Sequence, residues 1–369
     1  MSKLKVISIF GTRPEAIKMA PLVKELEKAR GIESKVCVTA QHREMLDQVL
    51  EIFGIVPDFD LDIMKKRQTL AGITTAAING ISGVLEEEKP DIVLVHGDTT
   101  TTFAGSMAAF YNKVSVGHVE AGLRTFDKYS PFPEEINRRL TGVIADYHFA
   151  PTETNRGNLL AEGVSDGSIF VTGNTVIDAL KTTVRADYSF EDDEINAVDF
   201  GKRVILVTAH RRENLGEPLE NICGAIREIA GNYDNCEFVY PVHLNPAVQE
   251  VARRVLGGLE NVKLISPTSV TDMHNMMDRC YMVMTDSGGL QEEAPSLGKP
   301  VLVLRTETER PEAVEAGTVK VVGVEKAAIM AEAVRLLDDK AAYEEMARAI
   351  NPYGDGKASE RIVGVLEGK

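Results

Sequence analysis

Cysteine is scarce: four in 369 residues, Cys37, Cys223, Cys236 and Cys280, far apart and with no CxxC pair. That spacing supports neither a disulfide framework nor a thiolate zinc site, and it fits a reducing compartment. Cys37 and Cys236 fall inside apolar runs and read as small buried hydrophobes. Long hydrophobic runs are missing too. The run Val6–Phe10 is too short for a signal segment, and no stretch approaches about 18 apolar residues, so a soluble, cytoplasmic protein with no membrane partner is expected. Positive charge is in deficit, with 41 Lys and Arg against 56 Asp and Glu and a net charge of −15. Such a chain is a poor partner for nucleic acid or an anionic membrane, so an anionic ligand would have to be met by a few local Arg, Lys and backbone N–H groups. Absent as well are the fingerprints GxGxxG and GxxxxGKS/T, which argues against a nicotinamide dinucleotide or a P-loop nucleotide.

What remains is an ordinary globular composition, 44% hydrophobic and 26% charged, long enough for two domains. The first half alternates short β-rich runs with segments of helical spacing. Expected strands cover 5–9, 35–39, 91–95, 115–119, 147–150 and 169–172, with helices over 16–28, 43–53, 69–88, 99–111, 134–145 and 152–162. Met45, Val49, Leu50 and Phe53 share one helical face. Ile92-Val93-Leu94-Val95 is apolar throughout, as a strand covered by helices on both faces is. Around Tyr188–Phe200 the pattern fades into an acidic stretch that reads as a loop or linker. A second series starts with a strand at 203–208 and continues with strands at 238–242, 262–265, 281–284, 301–304 and 319–322. Its helices are expected at 219–230, 247–256, 326–337 and 341–349. No repeat of fixed period is present, yet the same grammar runs twice. The expected fold is α/β: two doubly wound, parallel-sheet, Rossmann-like domains facing a cleft at the carboxyl ends of their strands. The first should span 1–172, rejoined by a C-terminal helix at 355–369, and the second 173–354.

Chemistry-bearing residues cluster just after the strands. The first strand runs into Gly11-Thr12-Arg13-Pro14-Glu15, where a helix N-terminus with Arg13 and Lys18 nearby suits an anion such as phosphate. A plain βα turn with Arg13 on the surface is the alternative. After the third comes His96-Gly97-Asp98-Thr99, in which Asp98 is either a chemical group or a helix cap. After the fourth come His118 and Glu120, two apart on an extended segment and so on one face. Two prolines then brace a loop into Glu134-Glu135, either of which is also a favoured first-turn acid. Asp98, Glu120 and one of the pair Glu134 and Glu135 together suit a site that needs paired acid and base groups. In the second series, His210-Arg211-Arg212 at a strand exit reads as solvated or as part of an anion site. His243 ends the next strand. Thr285-Asp286-Ser287-Gly288-Gly289 opens a helix and suits N–H contact with phosphate oxygens, and Glu293, one turn on, suits ribose hydroxyls. The blander reading is a Gly-rich turn with surface acids. Arg310 follows the next strand.

Phe10–Pro21, Val95-His-Gly-Asp-Thr-Thr100, Gly117–Arg124, Gly173–Asp178, Thr285–Gly289 and Glu309-Arg-Pro-Glu312 resemble the non-hydrolysing UDP-N-acetylglucosamine 2-epimerases, and the likeness runs from residue 4 to about 366. The resemblance implies a two-domain GT-B type fold, a homodimer, and reversible interconversion of UDP-GlcNAc and UDP-ManNAc, the latter feeding ManNAc-containing surface polysaccharides. It implies no metal, nicotinamide or other cofactor. UDP leaves by anti elimination as C2 loses its proton, 2-acetamidoglucal stays bound, and UDP adds back with a proton delivered to the opposite face. By motif, Asp98, Glu120 and Glu134 are the acid/base carboxylates and His210 lies beside the pyrophosphate. Arg13, Lys18, Ser287, Gly288, Gly289, Glu293 and Arg310 serve the nucleotide, with Met273 standing where many members carry an aromatic near the uracil. Bacterial members bind a second, activating UDP-GlcNAc, and the matching positions are Gln41, Glu44, Arg67, Arg211 and His243. Glu44 stands where some members have Gln. The competing readings are a GT-B glycosyltransferase using a UDP-sugar donor and a non-catalytic UDP-sugar sensor. A sensor would have no use for three carboxylates.

Overall fold

Val6, Ile7, Ile9 and Phe10 are all fully buried on one strand, which requires cover on both of its faces. The cover follows from side-chain alternation. Val6 and Phe10 join one apolar cluster with Met19, Leu22 and Leu46, while Ile7 and Ile9 join another with Ile81, Leu85 and Ala104. The computed structural model describes residues 3–40, 43–65 and 68–368, the side chain of Glu44 excepted. It divides into two units, Met1–Thr182 with Tyr353–Lys369, and Thr183–Pro352, so the divisions fall at 182/183 and 352/353.

The first unit carries strands β1 (Leu4–Phe10), β2 (Ile32–Val38), β3 (Phe59–Asp60), β4 (Ile92–His96), β5 (Ser115–Val119), β6 (Tyr147–Ala150) and β7 (Ile169–Val171). Its helices are α1 (Arg13–Lys28), α2 (Arg43–Phe53), α3 (Leu70–Glu88), α4 (Thr100–Tyr111), α5 (Glu134–Ile144), α6 (Glu153–Ala161) and α7 (Thr175–Thr183). All strands run parallel in the order β3-β2-β1-β4-β5-β6-β7. The order reverses between β1 and β4, and the loops after those two strands flank the switch point where such sheets bind ligands.

In the second unit the stretch expected to be a loop or linker is mostly irregular but packed. It holds the single turn α8 (Asp193–Asn196). The Arg185 N–H donates to Asn275 Oδ1 at 3.0 Å, the Tyr188 hydroxyl to Asp272 Oδ1 at 2.8 Å, and Phe190 is buried. Three aromatics, Tyr188, Phe190 and Phe200, give this acidic stretch an apolar side, and Arg279 lies 4.8 Å over the Phe190 ring. Strands β8 (Arg203–Thr208), β9 (Cys236–Pro241), β10 (Val262–Ile265), β11 (Met282–Thr285), β12 (Val301–Val303) and β13 (Val319–Val321) pair in parallel in the order β10-β9-β8-β11-β12-β13. The helices are α9 (Glu217–Asn232), α10 (Pro246–Leu256), α11 (Val270–Arg279), α12 (Gly288–Ser296), α13 (Pro311–Glu315), α14 (Lys326–Asp338) and α15 (Lys340–Ala347). Here the switch point lies between β8 and β11.

The chain then returns to the first unit through α16 (Ala358–Leu366), whose Ile362 and Val363 are buried in the cluster of Leu22 and Val23 on α1. The Asp178 carboxylate on α7 accepts the Ala358 and Ser359 N–H groups at 3.2 and 2.8 Å and so caps α16 from outside. All four cysteines are buried, and burial pushes the Cys37, Cys223 and Cys280 thiols up to about 12. Among the described residues no helix is long and apolar enough to cross a membrane.

Candidate active site

At the first switch point the chain answers its own helix dipole. The Glu15 carboxylate accepts the Gly11 and Thr12 N–H groups at 3.0 and 2.7 Å and the Thr99 hydroxyl at 2.6 Å. Burial pushes the Glu15 carboxyl up, against the pull of these hydrogen bonds. An internal carboxylate thus takes the two N–H groups just before α1, and Pro14 in its first turn has none to offer. Thr12-x-x-Glu15 is a capping box, so the signal was in the sequence. Arg13, half-buried, opens the helix.

Asp98 is not the cap of α4. That place belongs to Thr99, whose hydroxyl accepts the Thr102 N–H at 3.1 Å. Asp98 is gripped from α5: Arg138 Nη2 donates to its Oδ2 at 2.5 Å, and Asn137 Nδ2 donates to its backbone carbonyl at 2.9 Å. Glu134 opens α5 three and four residues earlier, on the same side of that helix. One helix therefore carries Glu134 and holds Asp98. Its neighbour Glu135 is fully buried and pins the preceding loop, accepting from the Thr125 N–H at 3.0 Å and the Phe126 N–H at 3.3 Å.

Glu120 does not share a face with His118 by strand alternation. Its φ of +63° places it in the left-handed region, and the extended segment ends at Val119. His118 turns inward to the Gly97 carbonyl at 2.7 Å. The Glu120 Oε2 atom meets Lys18 Nζ in an ion pair, accepts Asn174 Nδ2 at 2.9 Å, and lies 3.7 Å from His96 Nε2. Lys18, expected at the nucleotide, is thus engaged with the carboxylate. Burial lowers His96 to about 4 and His118 to about 3, so both rings are neutral at pH 7.

In the second unit a fully buried Asp286 ties the two loops at the switch point together. Its Oδ2 accepts the His210 N–H at 2.7 Å, the Arg211 N–H at 2.8 Å and Asn214 Nδ2 at 3.0 Å. Helix α12 begins beside it. The Ser287 N–H, expected to face phosphate, donates instead to Thr285 Oγ1 at 2.9 Å, which leaves Gly288 and Gly289 to present their N–H groups in the first turn. A Cβ on Gly288 would stand 3.5 Å from Arg310 Cζ and 3.6 Å from Arg211 Nη2, so two guanidinium groups flank that helix N-terminus. Arg310 is aimed by Glu292, whose buried carboxylate accepts its Nε at 2.6 Å. His210 stacks on His243 with ring centroids 5.1 Å apart. Burial outweighs the pull of Asp286 and lowers the His210 pKa, so the ring is neutral at pH 7 and the positive charge comes from the arginines. Glu293 lies 3.9 Å from His274, which is itself fixed by Thr183 at 2.6 Å, and Met273 is half-buried on α11. Arg211 and His243 thus adjoin the residues expected at the phosphates. Gln41, Arg67 and the Glu44 side chain lie outside the described residues. Among the described residues no group of three or more His, Cys, Asp or Glu is arranged to hold a metal ion.

The sequence profile of UDP-N-acetylglucosamine 2-epimerase matches residues 24–367. The chain belongs to that family. This epimerase-family chain is similar to the Bacillus subtilis UDP-N-acetylglucosamine 2-epimerase, with 61% identity over 363 residues, 98% of this chain and 95% of the relative. Among solved structures it is similar to the S. aureus MnaA–UDP co-structure, with a TM-score of 0.90 at 53% identity over 100% of this chain and 96% of that one. The UDP-GlcNAc 2-epimerase from Neisseria meningitidis bound to UDP-GlcNAc gives a TM-score of 0.88 at 52% identity, covering 99% of this chain and 100% of that one. The fold expected of the epimerase family, two Rossmann-like α/β units of GT-B type, is the fold of this chain.

Proposed function

We propose that the protein interconverts UDP-GlcNAc and UDP-ManNAc by inverting C2 of the sugar. The observation that carries this reading is the set of acids after β4 and β5: Asp98 gripped by the helix that Glu134 opens, and Glu120 gripped by Lys18 and Asn174. Binding alone needs no such set, whereas a reaction that removes a proton from carbon and returns one does. In the proposed course one carboxylate takes the C2 proton while the C1–O bond to UDP breaks, giving 2-acetamidoglucal with a C1–C2 double bond. An acid on the other side then protonates C2 from the opposite face as a UDP oxygen re-forms the bond to C1. The N–H groups of Gly288 and Gly289, with Arg211, Arg310 and Arg13, hold the diphosphate, and neutral His210 donates a hydrogen bond to the departing phosphate. Ser287 contributes through its hydroxyl, Glu293 serves the ribose and Met273 the base. The relatives solved with UDP and with UDP-GlcNAc support this ligand class.

A second UDP-GlcNAc beside the first, met by Gln41, Glu44, Arg67, Arg211 and His243, would activate the enzyme. The protein works as a cytoplasmic homodimer and supplies ManNAc for surface polysaccharide. A homodimer is supported by α4 and α5, which pack together and expose Phe110, Tyr111, Leu140 and Val143. Incubation with UDP-GlcNAc in deuterated water, followed by proton NMR, tests the reaction. UDP-ManNAc carrying deuterium at C2, formed without added NAD or metal, is the expected product. Product that retains its original C2 hydrogen would overturn the elimination course, and sugar transfer to an acceptor would favour a glycosyltransferase.

A further inference from the structure

We infer that Asn174 is a positioning residue for Glu120 and that it ties this carboxylate to the returning segment at 353–354; the inference rests on the reaction proposed above. Asn174 has both ends of its side chain assigned. Its Oδ1 accepts the Val176 N–H at 3.0 Å, which caps α7 locally and fixes the amide orientation, so that Nδ2 faces Glu120 Oε2 at 2.9 Å. The residue is buried. Its backbone is held just as firmly, because the Asn174 N–H donates to the Tyr353 carbonyl at 2.8 Å. The two strands of chain there lie backbone on backbone. A Cβ on Gly173 would stand 3.2 Å from the Tyr353 carbonyl oxygen, and one on Gly354 would stand 3.2 Å from Gly173 Cα. Gly173 and Gly354 have φ of +89° and +111°, which glycine adopts without penalty.

Glu120 needs such a guide. Its own backbone is left-handed, a conformation disfavoured for a residue with a Cβ, so its carboxylate does not take its direction from the strand. Lys18 supplies charge on a long, flexible stem. Asn174 supplies direction from a short, doubly fastened one. For a carboxylate that works on carbon, direction matters: a displacement of about 1 Å can cost about 10²-fold in rate.

The bland reading of Asn174 is a cap of α7 and nothing more. Asn174→Asp separates the two, because Asp is an equally good cap and keeps the acceptor for Val176 while losing the donor to Glu120. Wild type, Asn174→Ala, Asn174→Asp, Glu120→Gln and the double variant Asn174→Ala/Glu120→Gln are compared by C2 deuterium incorporation into UDP-ManNAc and by calorimetric UDP affinity. Asn174→Ala should lower kcat by up to about 10²-fold with UDP affinity unchanged. Asn174→Asp should be slow at alkaline pH and recover as the pH is lowered, since one acid of the new pair then takes up a proton and again donates between them. The double variant should be no slower than Glu120→Gln alone. Asn174→Asp at the wild-type rate with the wild-type pH profile would leave Asn174 a cap only and overturn the inference, as would a full additive loss in the double variant. Wild-type protein that leaves the C2 hydrogen in place would overturn the proposed reaction and this inference with it. Wild-type turnover alongside undiminished Asn174→Asp would overturn the inference alone.

Discussion

Glu15 and Glu120 are acids just beyond the ends of β1 and β5, yet their surroundings fit them for different work. Glu15 is enclosed by backbone and hydroxyl donors of its own loop and of Thr99. Glu120 meets an ammonium and an amide. Glu15→Gln should therefore lower the melting midpoint, whereas Asp98→Asn, Glu120→Gln and Glu134→Gln should each lower turnover by about 10²-fold or more with little change in calorimetric UDP affinity. If all three mainly weakened UDP binding, the assignment of these carboxylates to the sugar would be wrong. Gly288→Val tests the anion site in the same way. The added Cβ meets Arg310 and Arg211 at ordinary contact distances, and the side chain occupies the approach of a phosphate. UDP should then no longer raise the melting midpoint, as it should in the wild type by mass action. Where Asp98 and Glu120 stand was legible in the sequence, because each follows a recognisable strand. Their partners were not. Arg138 is 40 residues from Asp98 and Lys18 is 102 from Glu120, so sheet topology rather than local spacing brings them together. The Ser287 N–H failed for the opposite reason, since a hydroxyl two residues away captures it.

Among the elements, long apolar strands such as β4 and β8 could be read directly, because burial on both faces leaves no polar position to confuse the pattern. Two-residue β3 carries no period at all. Helix α7 escaped because only three residues separate it from β7, where the sequence reading placed a domain boundary. That helix does more than fill space, since its Asp178 caps α16 across 180 residues of sequence. Asp178→Ala should cost about 1 kcal/mol, the usual value of a helix cap. The checks are a melting midpoint lower by roughly 2–4 °C for a unit of this size and faster proteolysis beyond Tyr353. Unchanged cleavage would mean that burial of Ile362 and Val363 alone secures the helix.

At the scale of the whole molecule, acid should be a weak point. His96 and His118 ordinarily titrate near 6.5 but are lowered to about 4 and about 3 by burial, so below pH 6.5 the unfolded chain binds protons that the folded chain refuses. Their contribution to stability is whole above about pH 6.5 and is lost as the pH falls toward 4 and then 3. Melting midpoints should drop between about pH 7 and pH 5, and His118→Gln, which keeps a donor for the Gly97 carbonyl, should flatten the decline. An equal decline in the variant would assign the sensitivity to groups other than His118. The return of the chain through Tyr353 and α16 also sets an order of assembly during translation. Residues 183–352 leave the ribosome as one unbroken stretch, but the groove on α1 that takes Ile362 and Val363 must wait until all of them have been made. The part synthesised first is therefore the part completed last, contrary to the usual N-terminal-first order. Chaperones that shield apolar surface on nascent chains would meet their target on α1, and would be needed there until α16 arrives.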